Sequence, residues 1–459
     1  LRRTADAFFK EVSPFLLHLG MFVPTLMGQC TQEQQAYWLP RALDMQIIGT
    51  YAQTELGHGT FIRGLETTAT YDPETEQFVM NSPTLSSYKW WAGGLGKTVN
   101  YCIVVAQLYT KGECHGTHPF IVQIRDEETH MPLPGIKVGD IGPKLGFNTA
   151  DNGYLGFENY RIPREHMMMK NAQVLKDGTY VKVARHGKAT YGTMVFVRVI
   201  LVNEAAFNLA KACTIAVRYS AIRRQSTPNP EELQVLDYTT QQHKLFICIA
   251  TAHALQLNSI WLWKTFSDTL SAIKKGNTDS LPELHALSSC LKALSTSDAA
   301  SLIEQCRHAC GGHGYMMSSG LPYLYAFVTA TRTYEGDYTV LLLQTARLTA
   351  TSSPNVKTVM QQLSTLYLYY WALERIGDLL MVNIVDLQLR YEELLALIRP
   401  NAVGLVDAFD LRDEVSTLGS YDGRVYERLM AEAQKSPLNA EPVNQSFHKY
   451  MKPMMKGKL

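Results

Sequence analysis

The spacing of hydrophobic and polar positions changes twice along the chain. Residues 1–50 have helical spacing, most clearly in the amphipathic run Glu33–Ile48. Residues 51–190 instead alternate short β-prone segments with turn residues, among them Asp72-Pro73-Glu74. Strands at that spacing are typical of a compact barrel or sandwich. The pattern therefore predicts an N-terminal helical domain, 1–50, followed by a central β-barrel domain, 51–190.

Helical spacing returns in the second half of the chain. Long periodic patterns cover 194–225, 237–274 and 284–310, and prolines or glycines separate them. They predict a helical bundle over residues 191–350, and later helical patterns predict a C-terminal helical domain over 351–459. The predicted order of domains is therefore α, β, α and α.

The composition excludes some classes of binding partner for this protein. A chain of 459 residues is too long for one simple core, so we expect two to four domains. Its 43 basic and 42 acidic residues give a net charge of +1, without the basic excess of a nucleic-acid-binding protein. The best apolar run, Met194–Leu201, is too short to cross a bilayer and is interrupted by Arg198. We expect a small-molecule or protein partner, no nucleic acid and no membrane insertion.

The cysteines and the final residues bear on the cellular compartment. The eight cysteines are dispersed and include no C-x-x-C pair, which favours a reducing compartment. The chain finishes Gly457-Lys458-Leu459, close to the Ser-Lys-Leu tripeptide that the peroxisomal import receptor binds. A solvated basic tail explains these residues equally well.

Two glycine-containing segments could bring a flat ring system against bare backbone. Tyr51–Thr60 has a hydroxyl at Thr54 that can both donate and accept a hydrogen bond. Trp90–Gly96 places two indoles beside Gly93. The alternatives are an ordinary turn for the first segment and a core tryptophan followed by a loop for the second. The residues alone leave both open.

Two further segments suggest contacts with charged or extended ligands. Arg218–Gln225 ends a helix with a basic cluster, which suits a pyrophosphate but also an ordinary solvated helix end. Cys306–Tyr315 mixes thiols and imidazoles, which suggests zinc, yet no second cysteine pair completes a tetrahedral set. Buried helical cysteines are the commoner explanation, and the glycines there indicate close approach of the backbone to another group.

Glu335 lies on a glycine-flanked turn just ahead of the apolar run Val340–Leu348. A carboxylate in that place often only caps the helix. If it faces a cavity, burial raises its pKa toward the working pH, as proton abstraction from carbon requires. The order of all these segments along the chain, rather than any one of them, distinguishes the two interpretations.

That order resembles the acyl-CoA dehydrogenase/oxidase superfamily and, within it, the peroxisomal acyl-CoA oxidases. The resemblance covers nearly the whole chain. The segments that carry it are Gly49–Thr60, Lys89–Trp91, Gly139–Lys144, Arg161–Glu165, Arg218–Gln225, Cys310–Tyr315 and Asp407–Asp410. It implies an α+β multidomain, acyl-CoA dehydrogenase-like fold with a helical N-terminal domain, a central β-barrel, a helical bundle and an extra C-terminal helical domain.

The resemblance also implies FAD as the cofactor and a set of site residues. Thr54 and Gly93 would contact the flavin ring, and Glu335 would be the catalytic base. The basic pair and glutamine at the end of the helix would reach the FAD of another subunit, which implies a homodimer. The remaining residues implied in cofactor binding are Arg223, Arg224, Gln225, Gln242, Gly311, Gly312 and Gly314.

The implied reaction removes two hydrogens from the acyl group of an acyl-CoA in the peroxisome. Glu335 takes the α-proton, the β-hydrogen leaves as hydride to flavin N5, and the product is a trans-2-enoyl-CoA. The Glu335 backbone N–H and a flavin hydroxyl would bind the thioester carbonyl and stabilise its developing negative charge. Molecular oxygen then reoxidises the flavin and gives hydrogen peroxide.

The sequence departs from the family pattern at several points. Tyr338 stands where an asparagine is usual and Thr239 where a glutamine is usual. The chain starts late in the helical N-terminal domain, and we expect a stretch of the family to be missing around Thr349–Pro354. A dehydrogenase that passes electrons to electron-transferring flavoprotein and a non-catalytic acyl-CoA-binding protein on the same fold are the alternatives. The preferred acyl chain length and branching are also open.

Overall fold

The chain forms two compact units. The computed structural model describes residues 13–183, 191–225, 232–351 and 424–457. The first unit joins Leu1–Thr345 with Met430–Leu459 and contains every predicted site residue. The second unit, Ala346–Leu429, is described only at its two edges, 346–351 and 424–429.

Two short helices precede the first strand. Helix α1, Val23–Gln29, follows a π-helical turn at His18–Phe22, and α2 spans Gln32–Leu43. The Thr31 hydroxyl caps α2 by accepting a hydrogen bond from the Gln34 N–H at 3.3 Å, and the Gln34 side chain accepts one from the Thr31 N–H at 3.1 Å. Both helices bury their apolar faces against the neighbouring strands.

The β-prone region forms eleven strands in the described part of the chain. They are β1 Gly49–Ala52, β2 Thr68–Asp72, β3 Gln77–Asn81, β4 Lys89–Trp90, β5 Tyr101–Thr110, β6 Glu113–Gln123, β7 Ile136–Asp140, β8 Gly153–Phe157, β9 Tyr160–Pro163, β10 Ala172–Val174 and β11 Tyr180–Lys182. The longest pair, β5 and β6, is rich in β-branched and aromatic residues, which suit a pleated, half-buried surface.

The eleven strands form a six-stranded sheet, a three-stranded sheet and a two-stranded sheet around a shared core. The larger sheet has the order β1-β5-β2-β3-β9 with β6 also paired to β5, and β1 and β2 run parallel to β5. The smaller sheet is antiparallel with the order β4-β8-β7, and β10 pairs with β11. Fully buried side chains from both sheets, among them Phe78, Phe120 and Leu155, fill one core.

Five helices follow in residues 191–351. They are α3 Tyr191–Ile222, α4 Thr239–Lys274, α5 Leu281–Ala309, α6 Leu321–Thr331 and α7 Tyr338–Thr351. The first three correspond to the long periodic patterns in the sequence and share an apolar core that includes Leu209, Leu245 and Ile303. The domain boundaries drawn from those patterns stay predictions.

Two of these helices are long and apolar enough, by length and composition alone, to cross a membrane. They contain the stretches Val195–Ile222 and Thr239–Ile273. The signal is weak, because core helices of soluble proteins pass the same test, and both helices here contribute buried side chains to the bundle core. The expectation of no membrane insertion stays a prediction.

The last described residues pack against the β domain. Helix α8 spans Val425–Gln434 and a short helix α9 spans Lys452–Met455. The Asp140 N–H donates to Asn439 Oδ1 at 2.9 Å, and the Asn439 amide donates back to the Asp140 carbonyl at 3.0 Å. Residues 352–423 lie outside the described ranges, so the C-terminal helical domain predicted over 351–459 stays a prediction.

The cysteines are free thiols and mostly buried. Six of the eight are buried, and Cys213, Cys248 and Cys306 lie in the apolar core formed by α3, α4 and α5. Within the described ranges, no group of three or more histidine, cysteine, aspartate or glutamate side chains could hold a metal ion. The structure therefore supports the buried-cysteine interpretation of the segment Cys306–Tyr315.

Candidate active site

The turn between α6 and α7 holds Glu335 in an unusual backbone conformation. Glu335 has φ of 57°, in the left-handed region that non-glycine residues rarely adopt, and Gly336 follows with φ of 111°. A Cβ on Gly336 would lie 2.6 Å from a methyl carbon of Leu341, so only glycine fits there. A strained residue at such a turn persists only where its surroundings hold it, at a cost of about 1–3 kcal/mol.

Two buried cations from two helices hold that turn. Arg198 on α3 donates from Nε to the Glu335 carbonyl at 3.1 Å and from Nη1 to the Ser289 hydroxyl at 3.0 Å. Lys292 on α5 donates from Nζ to the Gly336 carbonyl at 2.6 Å. Both cationic side chains are buried, Lys292 completely. Consecutive carbonyls of the turn are therefore each fixed by a separate helix.

The Glu335 carboxyl is left available for proton transfer. Burial raises its pKa above the ordinary value, and the positive charges of Arg198 and Lys292 oppose that rise without cancelling it. Burial, together with the charge of Arg198, lowers the pKa of Lys292 to about 8. No hydrogen bond to the Glu335 carboxylate or from its backbone N–H is found among the described residues. A carboxyl with a raised pKa and free oxygens is suited to act as a base.

The segments of Thr54 and Gly93 lie side by side. The Trp90 N–H donates to the Thr54 carbonyl at 2.9 Å, and the Thr50 hydroxyl donates to the Gly93 carbonyl at 2.7 Å. Trp91, within the second of these segments, has φ of 80° and is 55% exposed. The two residues predicted to contact the flavin ring are thus brought together beside an open aromatic face.

A fully buried ion pair supports this pair of segments. Lys89 Nζ lies 2.9 Å from Glu55 Oε1, and both side chains are completely buried. Glu55 also accepts hydrogen bonds from the Thr67 N–H at 2.9 Å and the Thr67 hydroxyl at 2.6 Å. Lys89 donates in addition to the Gln53 carbonyl at 3.2 Å, next to Thr54. The conformation of the Thr54 segment therefore depends on a charge pair with no access to water.

The other predicted cofactor residues gather at the far end of α3. Arg223, Arg224 and Gln225 are exposed, and Arg224 donates to the Glu232 carbonyl at 2.6 Å. The Arg223 guanidinium has no protein partner in the described part of the chain. An exposed guanidinium free of protein contacts is suited to bind a phosphate group.

The glycine-rich turn after α5 lies next to that helix end. Gly314 is buried, and a Cβ on it would meet the Arg307 carbonyl oxygen at 2.0 Å. Gly311 and Gly312 are exposed, with no atom within 4 Å of a Cβ position, so their backbone is open to a ligand. The Tyr219 hydroxyl on α3 lies 3.1 Å from His313 Nδ1, which joins the turn to the end of α3.

Gln241, which was not among the predicted site residues, is buried and organises this second group, while the cofactor contact expected of Gln242 stays a prediction. The Gln241 amide donates to the Ser220 hydroxyl at 3.0 Å and to the Ala309 carbonyl at 2.8 Å, linking α3, α4 and α5. The Gln242 side chain instead donates to the Leu236 carbonyl at 3.1 Å, within its own helix start. Arg198 and Lys292 were also not among the predicted site residues.

Helical spacing could have found all three. On α4, Gln241 is in register with the buried residues Leu245, Cys248 and Ala252. Lys292 is in register with buried residues Ser288 and Ser295 on α5, and Arg198 interrupts an apolar run. A polar residue at a core position requires a partner, so each of these was a candidate for a buried contact.

Family models match most of the chain. The model for the acyl-coenzyme A oxidase N-terminal part matches residues 2–48, that for the acyl-CoA oxidase C-alpha1 domain matches 191–350, and that for acyl-CoA oxidase matches 323–456. The chain belongs to the acyl-CoA oxidase family. The predicted family, fold class and enzyme class are confirmed, whereas the roles of individual site residues stay predictions.

Three relatives show how far the similarity extends. Acyl-coenzyme A oxidase 1 of Drosophila melanogaster is 45% identical over 99% of this chain and 85% of the fly protein. Peroxisomal acyl-coenzyme A oxidase 1 of Cavia porcellus is 44% identical over 96% of this chain and 85% of that protein. Acyl-CoA oxidase-2 of Caenorhabditis elegans, crystallised with FAD, ascaroside-CoA and ATP, is 38% identical in sequence. The two structures match with a TM-score of 0.73 over 98% of this acyl-CoA oxidase and 84% of the nematode chain.

The same comparison shows that relatives carry residues without a counterpart in this acyl-CoA oxidase. The alignment with the fly protein extends over 567 positions, more than the 459 residues present here. We expected missing sequence around Thr349–Pro354. That location lies at the edge of the described residues, so it stays a prediction.

Proposed function

We propose that Glu335 takes the α-proton of the acyl group in this FAD-dependent, peroxisomal acyl-CoA oxidase, which acts in β-oxidation. The observation that carries the proposal is the Glu335–Gly336 turn: a carboxyl with a raised pKa, held in a left-handed conformation by two buried cations. A carboxylate that only capped the helix would require neither a raised pKa nor a left-handed backbone. Asp337 caps α7 instead, because its Oδ1 accepts the Thr339 N–H at 2.9 Å.

The chain fits the binding of FAD at the Thr54 and Gly93 segments. The exposed Trp91 indole and the half-buried Thr54 offer the kind of surface that a flat ring system requires. Gly93 lies beneath that surface, because it is buried and a Cβ on it would lie 3.3 Å from a methyl carbon of Leu17. FAD, when bound, supplies the hydride acceptor for the β-hydrogen. A related nematode oxidase is crystallised with FAD.

The chain's own groups then account for the proton transfer. The free Glu335 N–H donates to the thioester carbonyl and stabilises the negative charge that develops as the α-carbon loses its proton. The Glu335 carboxylate accepts that proton, and its raised pKa increases its basicity. Over the whole reaction, the acyl group loses two electrons and two protons, and molecular oxygen gains them as hydrogen peroxide.

Tyr338, the residue beside the base that departs from the family pattern, fits into the turn without a clash. The Tyr338 N–H donates to the Arg332 carbonyl at 2.9 Å, and the Arg332 guanidinium lies over the Tyr338 ring, 5.5 Å from its centroid. Tyr338 therefore starts α7 without displacing Glu335. This packing removes the argument from Tyr338 for a non-catalytic protein on the same fold.

We also propose a homodimer in which each subunit completes the FAD site of the other. Arg198, beside Glu335, and Ile222, at the end of α3, are 24 residues apart on one helix, a span of about 36 Å. That is longer than one dinucleotide, so Arg223–Gln225 and the Gly311–Gly314 turn belong to a different FAD from the one beside their own Glu335. Recognition by the peroxisomal import receptor stays a prediction, because Lys458 and Leu459 lie outside the described residues.

Replacing the base tests the proposal. Glu335→Gln keeps the size of the side chain but removes the proton acceptor, so we expect FAD to stay bound while acyl-CoA-dependent loss of flavin absorbance under nitrogen slows by about 10³-fold. Glu283→Gln, at an exposed position on α5, is the matched control and should leave that rate unchanged.

A Glu335→Gln enzyme that still reduces its flavin quickly would refute the assignment of the base. In air, the wild-type enzyme should give one hydrogen peroxide for each acyl-CoA consumed. Acyl-CoA-dependent flavin reduction without peroxide would instead indicate a dehydrogenase that needs a protein electron acceptor.

A further inference from the structure

Lys292 is buried in a place that offers its charge little compensation. It lies in the middle of α5 and is completely buried, yet no carboxylate comes within ion-pair distance of it in the described residues. Its hydrogen bond there goes to a neutral group, the Gly336 carbonyl, at 2.6 Å. Burying an ammonium group in this way costs several kcal/mol of stability. A methionine would fill the same volume without that cost, so the lysine provides its contact with Gly336 and its positive charge beside Glu335.

The contact fixes the backbone that carries the base. Gly336 has φ of 111°, a conformation that glycine can adopt. Because glycine has no side chain, other residues must hold the backbone in that conformation. The Glu335 carbonyl is held by Arg198 from α3, and the Gly336 carbonyl is held by Lys292 from α5. With both carbonyls held, the position of the Glu335 Cα atom and the direction of its Cα–Cβ bond, from which the carboxylate extends, are constrained.

We propose that Lys292 is a positioning residue for proton abstraction: its ammonium group anchors the Gly336 carbonyl and so keeps the Glu335 carboxylate aimed at the substrate α-carbon. Lys292 itself touches neither substrate nor FAD in this role. The inference depends on the proposed function of Glu335 as the base. A misplacement of about 1 Å at a reacting group lowers a rate by about 10²-fold, which sets the size of the expected effect.

The test substitutes Lys292→Met in the FAD-loaded enzyme and follows flavin reduction by acyl-CoA under nitrogen. We expect normal FAD content, an acyl-CoA dissociation constant within about twofold of wild type, and a reduction rate lower by about 10- to 100-fold. Lys292→Arg keeps a buried cationic donor and should recover most of that loss. Lys264→Met, which removes an exposed lysine on α4, should have no effect.

The pH dependence of flavin reduction separates positioning from a general loss of structure. Lys292 and Arg198 are the cations that lower the pKa of Glu335, so Lys292→Met should move the apparent pKa of the base upward. Among the described residues, the other charged or titratable groups around the turn include Glu204 on α3, His285 on α5, Tyr51 from β1, and Arg332, Tyr334, Asp337 and Tyr338 in the turn segment itself. All of them are unchanged in this variant.

The outcomes are distinguishable. A Lys292→Met enzyme that reduces its flavin at the wild-type rate overturns the inference, as does a rate loss that only follows loss of FAD. If that variant yields no holoenzyme, Lys292→Gln carries the test with the same criteria. If Glu335→Gln is inactive while Lys292→Met is normal, only the inference fails. If Glu335→Gln is active, the proposed role of Glu335 as the base fails, and the inference about Lys292 fails with it.

Discussion

The buried pair of Lys89 and Glu55 predicts a large and specific loss of stability. Lys89→Met removes one charge and leaves the Glu55 carboxylate in a site that water does not reach. Breaking a buried pair by removing one partner typically costs about 3–5 kcal/mol. Two hydrogen bonds from Thr67, one from the Glu66 N–H and the contact with His58 Nδ1 at 3.3 Å remain on the carboxylate, so we expect about 3 kcal/mol, at the lower end of that range.

An exposed lysine provides the matched control. Lys111 pairs with Asp177 at 3.4 Å, and both side chains are more than half exposed. Lys111→Met should therefore cost less than about 1 kcal/mol. The double variant Lys89→Met with Glu55→Gln removes both buried charges and should recover part of the loss. Urea denaturation of the three variants, followed by tryptophan fluorescence, measures these differences in the free energy of unfolding.

The shift in the Glu55 pKa determines how the loss of stability in Lys89→Met changes with pH. Burial alone would raise the pKa of Glu55, but the charge of Lys89 and the hydrogen bonds from Thr67 outweigh it and lower the pKa below its ordinary value. The pair therefore adds stability above the ordinary carboxyl pKa and loses it as the pH falls through the lowered value. The difference between wild type and Lys89→Met should shrink in acid. Equal losses for Lys89→Met and Lys111→Met at neutral pH would refute the reasoning.

Two further predictions follow from the structure. Gly314→Ala should prevent correct folding of the turn after α5, because the new Cβ would meet the Arg307 carbonyl oxygen at 2.0 Å, whereas Gly312→Ala has open space and should retain wild-type circular dichroism and yield. Burial, with help from the charge of a nearby arginine, lowers the pKa of His130 to about 4, and the ring stacks on Phe447. Stability should therefore fall by up to about 3 kcal/mol as the pH drops from about 6.5 to 4, and hydrogen exchange near Phe447 should rise first; unchanged exchange there would contradict this.

Local pattern was enough to predict the strands and the long helices. The period of apolar residues changes after residue 50, two residues beyond the start of β1 at Gly49, and again near residue 191, where α3 begins at Tyr191. The neighbourhood of Thr54 and Gly93 followed from family resemblance, and the structure adds the hydrogen bonds that join their segments. These features depend on residues close in sequence or on motifs that keep a fixed order.

The support of the base could not be predicted in the same way. The Glu335 carbonyl is held by a residue 137 positions earlier and the Gly336 carbonyl by one 44 positions earlier. Periodicity places Arg198 and Lys292 on buried faces, but it does not say which carbonyl each one meets. The left-handed conformation of Glu335 is likewise a result of tertiary contacts, since its own side chain disfavours it.

The return of the last residues to the β domain has a consequence for how this protein is made. Asp140 and Asn439 are 299 positions apart, yet two hydrogen bonds join them, and a third links the Ser436 hydroxyl to Asp140 at 3.0 Å. During synthesis the sheets emerge from the ribosome long before these partners exist. The β domain therefore stays incomplete until the segment that contains Ser436 and Asn439 is released, and contacts of such high sequence separation form slowly. A nonsense mutation ahead of Ser436 would remove contacts of the β domain itself.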